Sequence, residues 1–116
     1  MKYNARKVKM ISKIIDEITS FYLENGAEDL QIKVVKDAKS NEYSVYTYGV
    51  IELSDEEVNE IKKSMNIHHD LEYSEYWELM GEGESTDELI LVARICDSVY
   101  INYEEGILEF ILKKKI

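Results

Sequence analysis

Proline is absent from this chain, cysteine occurs once, and no apolar run is long. Without proline, every turn must be made by glycine, of which there are five, or by Asn, Asp and Ser. A single cysteine, Cys96, excludes a disulfide within the chain and any Cys-x-x-Cys metal knuckle, and it fits a reducing, cytoplasmic setting. No stretch approaches the roughly 20 apolar residues of a membrane helix. The opening MKYNARKVK is basic, but no signal-type apolar core follows it. Basic residues are also few, 14 against 24 acidic ones, for a net charge of −10. A chain so acidic repels a phosphate backbone unless its cations are gathered into one patch. Here they gather only at Lys2–Lys13 and Lys113–Lys115, which read as solvated ends. No P-loop, Gly-x-Ser-x-Gly motif or catalytic carboxylate pair is present. These absences predict a soluble cytoplasmic protein without nucleic acid or membrane as a partner.

What is present is hydrophobic patterning. Apolar residues make up 45% of the 116, enough for one domain over 1–116 with a real core. Val8, Ile11, Ile15, Ile18 and Tyr22 step by three and four, predicting a helix from Ala5 to Glu24 that closes at Asn25-Gly26. Leu30, Ile32 and Val34 alternate with polar residues as a strand, and KDAKSNE (36–42) is a turn cluster. A second strand is predicted over Tyr43–Tyr48. Ser54 and Glu57 have capping-box spacing at the head of a second helix carrying Val58, Ile61 and Met65 and ending near Asn66. Residues 67–85 have no clear period and read as a variable, lid-like segment. Leu89, Val92 and Ile95, flanked by Leu91 and Cys96, then recur at helical spacing. From Val99 the period becomes two, through Ile101 and Tyr103, a Glu-Glu-Gly break, and Leu108, Phe110 and Leu112.

Two hairpins and three amphipathic helices imply an α+β (α/β) two-layer sandwich: a sheet of about four strands with helices on one face only. The inward residues are expected to be Leu30, Ile32, Val34, Val45, Val99, Ile101, Leu108, Phe110 and Leu112. Gln31, Lys33, Tyr46, Tyr48, Tyr100, Asn102 and Glu109 are expected outward.

The order of elements from Val8 to Lys113 resembles the histidine-kinase-like ATPase fold of the GHKL superfamily, which includes kinase ATP-binding domains and anti-sigma factor kinases. In that family the first helix carries an acidic residue and, four positions on, an asparagine that holds the nucleotide's magnesium. In EITSFYLENGAEDLQIKV the acidic position is Glu17, and Phe21 stands where the asparagine would be. The family's Asp-x-Gly-x-Gly loop corresponds to Tyr46-Thr-Tyr48-Gly49-Val50-Ile51, with one glycine and no aspartate. Its phosphate-binding lid corresponds to Gly81 and Gly83, but Asp87 and Glu88 occupy the helix start that follows. Unpaired amides and the helix dipole suit that place to anions, and two carboxylates there repel a triphosphate. The resemblance therefore implies a degenerate member: a non-catalytic regulatory or protein-interaction domain without cofactor. Its alternatives are a divergent ATP- and magnesium-binding protein using Glu17, Gly81 and Gly83, or a small-ligand sensor.

Other candidate residues have plainer readings. Glu17 outside a nucleotide site is a surface glutamate beside Asp16. His68-His69-Asp70 with Glu72 match no tetrahedral metal spacing and read as a solvated loop. Cys96 reads as a small core residue, and Ser85-Thr86 as an N-cap. Nine tyrosines and one tryptophan are many for this length. Tyr46, Tyr48 and Tyr100 on the helix-free sheet face, with Tyr76 and Trp77 in the variable segment, are the expected contacts for a protein partner or for self-association; for the three strand positions, tyrosine's fitness for a half-exposed sheet is an equally good account.

Overall fold

The computed structural model describes residues 5–65 and 85–115. Helix α1 (Ala5–Glu24) leads into the hairpin β1 (Asp29–Asp37) and β2 (Glu42–Val50). Helices α2 (Asp55–Met65) and α3 (Ser85–Ile95) follow, then the hairpin β3 (Ser98–Glu104) and β4 (Ile107–Lys115). The four strands form one antiparallel sheet in the order β1-β2-β4-β3. The expected α+β architecture is present, with α3 lying between α1 and α2.

Each boundary has a local cause. Gly26, at φ +83°, takes the left-handed turn that ends α1, and the Ala27 N–H returns to the Tyr22 carbonyl at 3.0 Å. The β1–β2 loop is an Asx turn in which the Lys39 N–H donates to Asp37 Oδ1 at 2.9 Å, with Asn41 at φ +55°. That bond, first, and a further one from Ser40 hold the Asp37 carboxyl below its usual range. The capping box is made in full: the Glu57 N–H donates to Ser54 Oγ and the Ser54 N–H to Glu57 Oε1, each at 3.1 Å. Glu105 and Gly106 both have positive φ, so β3 and β4 are joined by the primed two-residue turn whose twist matches the strands. The Lys115 N–H donates to Asp97 Oδ2 at 2.6 Å, pinning the α3–β3 junction to the far end of β4.

The core lies between the helices and one sheet face. Ile14, Ile18, Phe21 and Tyr22 of α1 meet Leu89, Leu91, Val92 and Ile95 of α3, over Val45, Leu108, Phe110 and Leu112 of the sheet. Cys96 belongs to this core, and burial pushes its thiol up to about 12. Phe21, Tyr22 and Phe110 pack edge to face in a triangle, with centroids 5.8 to 6.2 Å apart.

Three expectations need correction. Residues 46–50, matched above to a nucleotide-binding loop, are the second half of β2, paired with β1 and β4 along their whole length. Val34 shares the inward face with Val45, yet it is 44% exposed, because edge strand β1 extends past the helical cover at that end. Glu17 is no surface glutamate: it is 7% exposed, held by Lys13 Nζ at 2.7 Å.

Candidate functional site

Strand β2 runs through the middle of the sheet, and its two faces are built from different sizes of side chain. Val45, Thr47 and Gly49 face the helices, while Tyr46, Tyr48 and Val50 face away. The inward residues diminish toward Gly49 because Tyr22 lies there. A β-carbon at Gly49 would sit 2.4 Å from the Tyr22 ring. The Tyr22 hydroxyl donates to the Leu108 carbonyl at 2.8 Å and lies 3.0 Å from Thr47 Oγ1. With its one proton given to Leu108, Tyr22 accepts from Thr47. Burial drives its phenol well above the ordinary range, so it stays neutral in the core.

Among the described residues no helix lies over the outward face. Reading the strand register across β1, β2, β4 and β3 gives four rows. The first is Asp29, Val50, Ile107 and Glu104; the second is Gln31, Tyr48, Glu109 and Asn102. The third is Lys33, Tyr46, Ile111 and Tyr100; the fourth is Val35, Ser44, Lys113 and Ser98. Tyr46, Tyr48 and Tyr100, the three expected contact residues within the described structure, are therefore brought onto one surface. They are 40%, 43% and 51% exposed. Side chains of Gln31, Lys33, Tyr46, Tyr48 and Glu109 line a shallow groove of about 420 Å³ over β1 and β2. Tyr76 and Trp77, also expected as contacts, lie outside the described residues, as do Gly81, Gly83 and the histidine pair.

The positions matched to a nucleotide site are occupied differently. Phe21 is 2% exposed, its ring edge-on to Phe110 at 6.2 Å. Glu17 is engaged by Lys13, whose ammonium is held above its usual range chiefly by that hydrogen bond. Glu88, near the start of α3, faces the carboxylates of α1. Its Oε2 is buried with no hydrogen-bond partner among the described residues. Desolvation first, then Glu24, Glu17 and Asp16, raise it to about 7, against the opposing pull of Lys13. This corner is rich in negative charge and suits no anion. Among the described residues no three His, Cys, Asp or Glu side chains are grouped as a metal would require.

Sequence reasoning missed Tyr103, whose hydroxyl donates to the Ile51 carbonyl at 2.9 Å and accepts the Leu53 N–H at 3.1 Å. It fixes the crossing from β2 to α2. In the sequence Tyr103 reads only as an apolar position of β3, and its period gives no sign of this second role. No helix among the described residues is long and apolar enough to cross a membrane. No family model, curated protein or solved structure matches this chain.

Proposed function

We propose that this chain is a non-catalytic, cytoplasmic interaction domain, a degenerate relative of the histidine-kinase-like ATPases that binds a protein through its open sheet face. The observation that carries this reading is the outward face of β2, where Tyr46 and Tyr48 stand exposed beside Tyr100 while the strand's small residues face the core. Tyrosine offers a large contact area with a polar tip and few torsions to order, which suits it to protein interfaces. The family relation is proposed from the order of the described elements, helix, hairpin, helix, helix, hairpin. Phe21, Glu17 and Gly49 support the loss of nucleotide chemistry, since one fills the core, one is ion-paired and one makes room for Tyr22.

Thermal melting with magnesium-ATP tests the reading. A ligand that binds only the native state at a hundred times its dissociation constant stabilises it by about 2.7 kcal/mol. For a domain of this size that raises the melting temperature by roughly 10 °C. The expected shift at millimolar magnesium-ATP is below 1 °C, and a rise of several degrees overturns the proposal.

A further inference from the structure

Resting on the interaction reading above, we propose that the open sheet face pairs with the same face of a second copy of this chain, about a two-fold axis running across the strands. Three features of the face select this occupant and this axis.

The first is charge. Asp29 and Glu104 occupy one end of the face and Glu109 the next row, with no cation in either row. Lys33 and Lys113 occupy the third and fourth rows, and Lys115 lies beyond them in a fifth row with Glu42 and Asp37. The face is thus acidic at one end and mixed with lysine at the other. A two-fold axis across the strands lays each end on its opposite. When the axis passes between the second and third rows, Glu104 of one copy lies over Ser98 of the other, beside that copy's Lys113. An axis along the strands instead stacks Asp29 on Glu104 twice, and like charges so placed repel.

The second is shape and chemistry at the centre. Under the chosen axis Tyr48 of each copy lands on Tyr46 of the other, so four phenols meet in the middle. Glu109 then lies beside the second copy's Tyr46, whose hydroxyl can donate to it. This self-complementarity is what an isologous contact demands.

The third is area. Under the chosen axis the overlap is the length of β3, seven residues at about 3.3 Å each, four strands abreast at about 4.8 Å, or roughly 440 Å² of each face. Two copies cover about 900 Å², the size of a weak, reversible contact and not of an obligate one.

Sedimentation velocity of the full chain between about 1 and 500 μM is the test, with three variants. The expected result is a concentration-dependent dimer, weakened at least ten-fold by Tyr46→Ser with Tyr48→Ser in a chain whose circular dichroism is unchanged. Should that pair disturb folding, Glu104→Lys leaves the core untouched; it weakens the dimer, and adding Lys113→Glu restores it. A short bis-maleimide then joins Gln31→Cys copies to Lys33→Cys copies in preference to Asn102→Cys copies, and Cys96 stays silent because it is buried. A monomer throughout the range overturns the inference. So does a dimer indifferent to the tyrosine and charge variants, or a reversed cross-linking preference. Any of these results leaves the interaction reading to another protein partner, while magnesium-ATP binding would remove that reading itself.

Discussion

Gly49→Ala is the sharpest test of how this core is assembled. Gly49 does not adopt a positive φ, so alanine meets no backbone objection, and it would restrain the unfolded chain favourably by roughly 0.5–1 kcal/mol. The obstacle is Tyr22 alone. The new methyl would lie 2.4 Å from Cε1 and 2.6 Å from Cδ1, where carbon atoms prefer about 3.5–4.0 Å. The ring must therefore retreat by about an ångström, yet Phe21 and Phe110 bracket it and its hydroxyl is tied to Leu108 and Thr47. Overpacking of this kind costs about 1–3 kcal/mol, and a buried hydrogen bond stretched or lost adds about 1–3. The net expectation is a loss of about 3 kcal/mol, read as a fall of about 12 °C in melting temperature or 1.5–2 M in urea midpoint. Tyr22→Leu supplies the control. It is itself destabilising, but in its background Gly49→Ala should cost under about 1 kcal/mol, a coupling of roughly 2 kcal/mol. If Gly49→Ala melts within 2 °C of the parent, or costs the same in both backgrounds, the Tyr22–Gly49 contact does not organise this core.

Two further expectations follow from single groups. Glu88 has its pKa raised from 4.5 in the open chain to about 7, so its contribution to stability is whole below pH 4.5 and is lost as pH rises through 7. Solvent screening at this partly exposed site brings the loss to about 1–2 kcal/mol, and urea midpoints should show Glu88→Gln matching the parent near pH 4.5 and exceeding it at pH 8. Equal midpoints at pH 8 would refute the crowding of carboxylates between α1 and α3. Ser54→Ala removes the acceptor for the Glu57 N–H and should cost about 1 kcal/mol by the same measurement, whereas a cost near zero would mean that the acidic first turn caps α2 unaided.

The parts of the fold legible in the sequence are those set by local chemistry. The helical period from Val8 to Tyr22 and the Asn25-Gly26 stop give α1 its observed limits, and Ser54 and Glu57 mark the head of α2 because a capping box needs only four residues. Alternation sorts the two sheet faces correctly, since a strand's side chains must point to opposite sides. What stays hidden depends on distant partners. Nothing local places β4 between β2 and β3, because that order is decided by which strands the helices can cover together. The burial of Glu17 depends on Lys13 one turn earlier and on α3 packing alongside, and neither is visible in a helical repeat. Gly49 invited comparison with a nucleotide loop because a glycine's neighbour across a core cannot be read from its flanks. Of the candidate site, the three strand tyrosines were legible as a shared face, while their rows and the charge gradient across them required the register.

The division of β2 bears on why that face exists. A strand shaped by core packing alone would turn its largest side chains inward, since burying an aromatic ring contributes about 1.5–3 kcal/mol. This strand does the reverse: Thr47 and Gly49 are buried, and Tyr46 and Tyr48 remain about two-fifths exposed. The inward half is accounted for by Tyr22, which crosses from α1 to reach Thr47 and the Leu108 carbonyl and leaves space for nothing larger. That argument does not extend to the outward half, where threonine would suit a solvated strand as well and would be less prone to association. The apolar area of Tyr46, Tyr48 and Tyr100 is forgone in the isolated fold and becomes available when the face is covered. Doubled in a symmetric pair, six such rings supply several kcal/mol toward association, a contribution the isolated fold leaves unused.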